Sequence, residues 1–200
     1  MPTLPDLRHN LAGRISGPVA RIVSRTGLSP NTLTILGLLI SIATAWVLAT
    51  GHLFPGGFLV LLAGAFDLID GAVARAAGKS TTFGALLDST LDRLSEAVIL
   101  FGLLVFFAAR SLLQETLLIF ATMVGSMLVS YIRARAESLG LRCEVGLFTR
   151  AERVIALALG LVLSPIHPLI LIIALWILAV FTHITAAQRL VYTWWQTKKG

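Results

Sequence analysis

Charge is scarce in this chain: Asp, Glu, Lys and Arg make up 13% of its 200 residues, against 56% hydrophobic ones. So little polar surface cannot coat a water-soluble globule, and a bilayer is the solvent that fits. Cysteine is nearly absent. The single Cys143 excludes an intrachain disulfide and a metal centre built on thiolates. No charged, Ser-rich or Pro-rich linker exceeds a few residues, so 1–200 is expected to be one integral membrane domain with no separate soluble one. The N-terminal segment lacks the short apolar core and small-residue cleavage site expected of a signal peptide. A soluble basic module that could take nucleic acid is missing, as are the repeated, Gly- or Pro-broken helix pairs expected of an ion-coupled transporter.

What is present is apolar sequence in membrane-length runs. Crossing about 30 Å of hydrocarbon takes about 20 residues of helix. Six runs qualify, at 31–50, 57–77, 83–108, 114–136, 149–165 and 168–192, the fifth being short. The expected fold is an all-α membrane protein, a six-helix bundle over 31–192 preceded by an amphipathic interfacial helix within 1–28. There Leu7, Leu11, Ile15, Val19 and Ile22 would lie on the membrane, with Arg8, Arg14, Arg21 and Arg25 facing water. The remaining Lys and Arg cluster on the same side in the 75–79 turn, in 133–153 and near the C-terminus, whereas the opposite loops hold only Arg110. That bias predicts a multi-pass cell-membrane protein with both termini cytoplasmic. The net charge of +6 then belongs to one face, suited to anionic head groups or phosphorylated substrates.

Four acids interrupt the apolar runs. Asp67, Asp70, Asp88 and Asp92 stand in the pattern D-x-x-D-G-x-x-A-R, eight free positions, then G-x-x-x-D-x-x-x-D. An ionisable group there costs roughly 2.5–3.5 kcal/mol even on a lenient insertion scale, and clustered acids repel one another. Residues held at that cost point to chemistry. Spacings of three and four place Asp67, Asp70, Gly71, Ala74 and Arg75 on one face of the second helix, and Gly84, Asp88, Asp92 and Glu96 along one stripe of the third. In an antiparallel hairpin turning near Lys79 and Ser80, Asp67 would meet Asp92 and Asp70 would meet Asp88 at matched depths. Only Arg75 and Arg93 lie close in sequence, so the acids read as under-neutralised, which favours a bound cation over salt bridging between helices or an ion pathway. Hard oxygen ligands suit Mg²⁺, Mn²⁺ or Ca²⁺ rather than Zn²⁺, and a two-ion site fits. The small Gly71 and Ala74 leave that face open to a bulky ligand.

These residues resemble the signature of the CDP-alcohol phosphotransferase family, integral membrane enzymes that build phospholipids from a CDP-linked donor. All eight fixed positions agree. With average residue usage a chance match is on the order of one in ten million. The resemblance implies a Mg²⁺- or Mn²⁺-dependent transfer: an acceptor hydroxyl attacks the donor's β-phosphorus, the phosphatidyl group of CDP-diacylglycerol or a related CDP-lipid moves, and CMP leaves. It implies metal ligation by Asp67, Asp70 and Asp88, and Asp92 as general base that touches metal as well. Gly71, Ala74 and Gly84 would shape the CDP pocket, with Arg75 organising the phosphate region, in a homodimer.

The acceptor has to be read elsewhere. Ser130-Tyr131-Ile132-Arg133-Ala134-Arg135-Ala136-Glu137 and Thr149-Arg150-Ala151-Glu152-Arg153 are similar to segments of the inositol-phosphate-using branch of that family. That branch binds the phosphate of inositol 1-phosphate with a basic residue at the position of Arg133, an Arg opening helix five and an Arg near the end of helix six. Here Arg133, Arg153 or Arg150, and Arg189 stand at those places, and three converging guanidiniums make a fitting dianion receptor. Interfacial snorkelling is the plain reading of any one of these arginines, and it suits Arg135 and Arg142. The branch often has Lys at the Arg133 position and an acid at that of Thr149. Relatives that use glycerol 3-phosphate often carry Pro-Leu-Ala-Asp-Lys where this chain has Ser89-Thr90-Leu91-Asp92-Arg93, which counts against phosphatidylglycerophosphate synthesis as the alternative. Elsewhere, Gly37, Ser41 and Ala45 form a small-residue ridge for packing inside the fold or between protomers. His183 reads as a packing residue, and Tyr192, Trp194 and Trp195 as an interfacial belt.

Overall fold

Ser29 sets the start of the bundle: its hydroxyl accepts the Thr32 N–H at 3.2 Å, and Pro30, which has no N–H to satisfy, opens the helix. The computed structural model describes residues 29–76 and 81–198, with backbone alone at residues 30 and 68–76. The expected interfacial helix of 1–28 and the turn at Lys79 and Ser80 lie outside the described residues. Six helices follow in order: α1 (Pro30–Ala49), α2 (Leu53–Ala76), α3 (Thr82–Ala108), α4 (Leu113–Ser138), α5 (Arg150–Leu163) and α6 (Leu169–Thr197). α2 starts ahead of the expected residue 57, because Pro55 falls in its first turn, where a missing N–H costs nothing. Thr81 caps α3 as Ser29 caps α1, accepting the Gly84 N–H at 2.9 Å.

α1 is the shared partner of both acid-bearing helices. It packs along α2 and along α3, whereas α2 and α3 scarcely touch each other among the described residues. Over the described residues the two signature helices are linked through α1, while the hairpin turn itself and the side chains of 68–76 lie outside them. The small-residue ridge on α1 allows both contacts to be close. Ala45 meets Gly102 so closely that a Cβ on the glycine would lie 2.3 Å from the Ala45 carbonyl oxygen, and Gly37 faces Asp67 and Phe66 of α2. The ridge packs inside the fold. α5 lies against α2, with Gly64 beneath Val154, and α6 closes the bundle against α4 and α5.

The core is aliphatic, with Leu48, Leu103, Ile119, Leu161 and Leu175 fully enclosed. Several buried hydroxyls are satisfied within their own helices: Ser41 donates to the Gly37 carbonyl at 2.9 Å and Thr122 to that of Leu118 at 2.8 Å, whereas Ser126 Oγ is buried without a hydrogen-bond partner in the protein. The outside is apolar as well. Leu39, Trp46, Phe58, Phe101, Phe120 and Ile173 are each more than half exposed, a surface suited to lipid and costly in water. Among the described residues, three helices are long and apolar enough by themselves to cross a membrane: α1 from Asn31, α4 and α6. α3 has the length but carries Asp88, Asp92, Arg93 and Glu96, and α5, with 14 residues, reaches about 21 Å.

Candidate active site

The first turn of α5 builds the site. Thr149 and Glu152 form a capping box, in which the Thr149 N–H donates to Glu152 Oε2 at 2.8 Å and the Thr149 hydroxyl donates to the same carboxylate. This fixes where the helix begins, so that Arg150 and Arg153, three positions apart, project from one face toward α2 and α3. Arg150 bridges the two acid-bearing helices. One terminal nitrogen donates to Asp67 Oδ2 and, at 3.2 Å, to the Asp92 carbonyl, and the other lies 2.7 Å from Asp92 Oδ2. Asp67 and Asp92 thus stand at one level, the depth match expected of them, although a third helix joins them.

The expectation of under-neutralised acids counted only sequence neighbours. Arg150 is 83 positions from Asp67 and 58 from Asp92, so proximity along the chain could not reveal it. With Arg150 engaged by these two acids, one of the arginines expected at the acceptor sits among the carboxylates. Asp92 Oδ1 is buried without a hydrogen-bond partner in the protein, and so is Arg150 Nε. A carboxylate oxygen can only accept, and a buried acceptor left over beside a second carboxylate fits a cation of the hard, oxygen-seeking kind. Asp88 lies one turn before Asp92 on the same stripe of α3. Among the described residues no three His, Cys, Asp or Glu side chains gather as a metal-holding group. The side chains of Asp70, Gly71, Ala74 and Arg75 lie outside the described residues. Gly84 faces the first turn of α1, where a Cβ would lie 3.2 Å from Asn31 Oδ1.

One turn further along, Arg153 is almost wholly enclosed and is gripped by Glu96 in a two-pronged pair, Nε to Oε1 at 2.6 Å and Nη2 to Oε2 at 2.8 Å. Its Nη1 donates to the Phe148 carbonyl at 3.3 Å. Asp67, Glu96, Arg150 and Arg153 line one small cavity of about 30 Å³, with Ser41, Ser95 and Thr122 on its other walls. Arg189 is buried and donates to the carbonyls of Val145 at 2.8 Å and Val129 at 2.7 Å, tying α6 to α4 and to the loop before α5. Arg133 is exposed and pairs with Glu137 at 2.8 Å.

These positions lie within a match to the family model for CDP-alcohol phosphatidyltransferases that covers residues 27–195. The chain belongs to the CDP-alcohol phosphatidyltransferase family. Like other members it is an enzyme of this class and a membrane protein. It is 41% identical over 197 residues to the phosphatidylinositol phosphate synthase of Mycobacteroides abscessus, covering 92% of this chain and 86% of that one. It is 36% identical over 200 residues to the archaetidylinositol phosphate synthase of Methanothermobacter thermautotrophicus, covering 98% of this chain and all of its relative. Among solved structures, phosphatidylinositol phosphate synthase of Mycobacterium tuberculosis with CDP-DAG bound matches with a TM-score of 0.82 at 40% identity, over 90% of this chain and 94% of that one. A structure of the same protein in complex with manganese and citrate matches with a TM-score of 0.80 at 39% identity, over 88% of each chain.

Sequence reasoning singled out the acids and the arginines but gave Glu96 no role. The signal was present: Glu96 continues the interval of four from Gly84 through Asp88 and Asp92.

Proposed function

We propose that this enzyme transfers the phosphatidyl group of CDP-diacylglycerol to inositol 1-phosphate, giving phosphatidylinositol phosphate and CMP, at the cytoplasmic face of a membrane that all six helices span. The observation that carries the reading is the first turn of α5, which delivers Arg150 to the signature acids and Arg153 to the cavity beside them. Donor chemistry and an acceptor anion site then share one cleft. The relatives named for inositol phosphate lipids, similar over nearly the whole chain, support the same acceptor.

Asp67, Asp70, Asp88 and Asp92 would hold one or two Mg²⁺ or Mn²⁺ ions, whose charge offsets that of the pyrophosphate and of the attacking and leaving oxygens. The remaining work falls to side chains. Asp92 takes the proton of the acceptor hydroxyl as its oxygen bonds to the donor's β-phosphorus and the anhydride bond to CMP breaks. Arg150 keeps one oxygen of Asp92 in place and leaves the other to the substrate side. Arg133, Arg153 and Arg189 receive the acceptor phosphate, with Gly71, Ala74, Arg75 and Gly84 around the CDP moiety.

Purified protein given CDP-diacylglycerol, Mg²⁺ and labelled inositol 1-phosphate should release CMP and form labelled lipid, and EDTA should stop both. Faster turnover with glycerol 3-phosphate than with inositol 1-phosphate would reassign the acceptor. Folded protein that turns over no alcohol acceptor would remove the reading altogether.

A further inference from the structure

Glu96 lies outside the eight-residue signature, yet it is spent entirely on one arginine. Both of its oxygens are taken by Arg153, through Nε at 2.6 Å and Nη2 at 2.8 Å, and its side chain is 13% exposed against 3% for Arg153. A planar fork held on two atoms fixes direction as well as distance. Phe148 supplies a third point, since its carbonyl accepts from Nη1 at 3.3 Å while its N–H donates to Thr185 of α6 at 3.2 Å. A guanidinium carries five N–H groups, so this grip leaves one on each terminal nitrogen. The cavity of about 30 Å³ that Arg153 lines is shared with Asp67 and Arg150, and it has room for about one water or the edge of a larger ligand.

We propose that Glu96 is a positioning residue for acceptor binding, acting through Arg153: its carboxylate aims the guanidinium so that the remaining N–H groups face the acceptor's phosphate. This rests on the reading of Arg153 as part of the acceptor site. The arrangement follows from depth. Glu96 sits one turn beyond Asp92 on α3, and Arg153 sits three residues beyond Arg150 on α5, so the two cross-helix pairs are stacked. The acceptor phosphate is thereby held one level from the acid that takes the hydroxyl proton. Charge and position make opposite predictions here. Removing an anion beside a phosphate site should tighten dianion binding if charge alone counted, and should weaken it if Glu96 works by aiming Arg153.

The test is a double-mutant cycle in full-length protein, with Glu96→Gln, Arg153→Gln and the pair, measuring KM for inositol 1-phosphate, KM for CDP-diacylglycerol and kcat. Glu96→Gln should raise the acceptor KM about tenfold, the scale of one lost charged hydrogen bond, with the donor KM and kcat within about twofold. In the Arg153→Gln background the same change should have no further effect. Glu96→Asp, which keeps the charge, should recover part of the loss, and it carries the test if Glu96→Gln does not fold. An unchanged or lowered acceptor KM in Glu96→Gln, or equal losses toward every substrate, would overturn the positioning role while leaving the acceptor assignment standing. An unchanged acceptor KM in Arg153→Gln would instead overturn the acceptor assignment of Arg153, and the positioning role with it.

Discussion

Arg150 takes Oδ2 of Asp92 at 2.7 Å and leaves Oδ1 of the same carboxylate buried and without a partner in the protein. One oxygen is structural and the other is on offer. The division explains how an acid inside an apolar bundle can be both tolerated and reactive, because the guanidinium bears the cost of burial while half of the carboxylate stays free to accept a cation or a proton.

Arg150→Gln should therefore destabilise the fold, since Asp67 and Asp92 lose their shared counter-charge. Breaking a buried pair costs about 3–5 kcal/mol, but these side chains are 16–27% exposed, so about 1–3 kcal/mol is expected. Thermal unfolding in detergent, followed by loss of the monodisperse fraction, would measure it. Neutralising Asp67 as well should restore part of the loss, and Arg150→Lys should restore less than full stability because a single ammonium cannot span both acids. An Arg150→Gln protein as stable as the parent would show that the bridge contributes nothing.

Asp88→Asn should lower CMP release by at least about a hundredfold while leaving folding intact, because it removes an anionic ligand from the expected metal set but stays isosteric. Added Mg²⁺ or Mn²⁺ should restore EDTA-treated parent and fail to restore the variant at the same concentration. Retained activity in Asp88→Asn would take this acid out of the metal set.

Much of this was legible in the sequence because membrane helices advertise themselves. Six apolar runs correspond to six helices among the described residues, three of them long and apolar enough to cross a membrane by themselves, and the costly acids stand out within those runs. The depth match of Asp67 with Asp92 followed from helical rise. Partnership between helices was not legible. Periodicity shows that α2 and α3 each have an acidic stripe, but nothing in either stripe says that both helices pack on α1, or that an arginine 83 positions away closes the gap. The ridge Gly37, Ser41 and Ala45 marked a close contact without naming its partner. Glu96 went unassigned because a lone acid at the right interval acquires meaning only once Arg153 is set opposite it.

The contact between α1 and α3 predicts an intolerant site far from the chemistry. A Cβ on Gly102 would lie 2.3 Å from the Ala45 carbonyl oxygen and 2.6 Å from its Cα, and backbone cannot move aside as a side-chain tip can. Gly102→Val should cost at least about 1–3 kcal/mol from overpacking and depress the yield of monodisperse protein. Gly140 gives the contrast. It lies in open space, with φ of +77°, so Gly140→Ala should incur only the backbone cost of about 1 kcal/mol. Equal behaviour of the two variants would argue against close α1–α3 packing.

The capping box connects local helix physics to turnover. Thr149 and Glu152 decide where α5 begins, and the two arginines that meet the acids lie in that first turn. Thr149→Ala removes the hydroxyl from the box, at a cost of about 0.5–2 kcal/mol. Because the last turns of α5 stay packed against α2 and α6, that cost should fall on the first turn and let Arg150 and Arg153 drift. Activity should drop more than global stability does, with the acceptor KM rising before kcat falls. Thr149→Ser keeps the capping oxygen and should behave like the parent. The decisive comparison is hydrogen exchange at 150–153 set beside KM for inositol 1-phosphate. Faster exchange with an unchanged KM would mean that the arginines are held by Glu96, Asp67 and Asp92 alone, and that the cap serves only the helix.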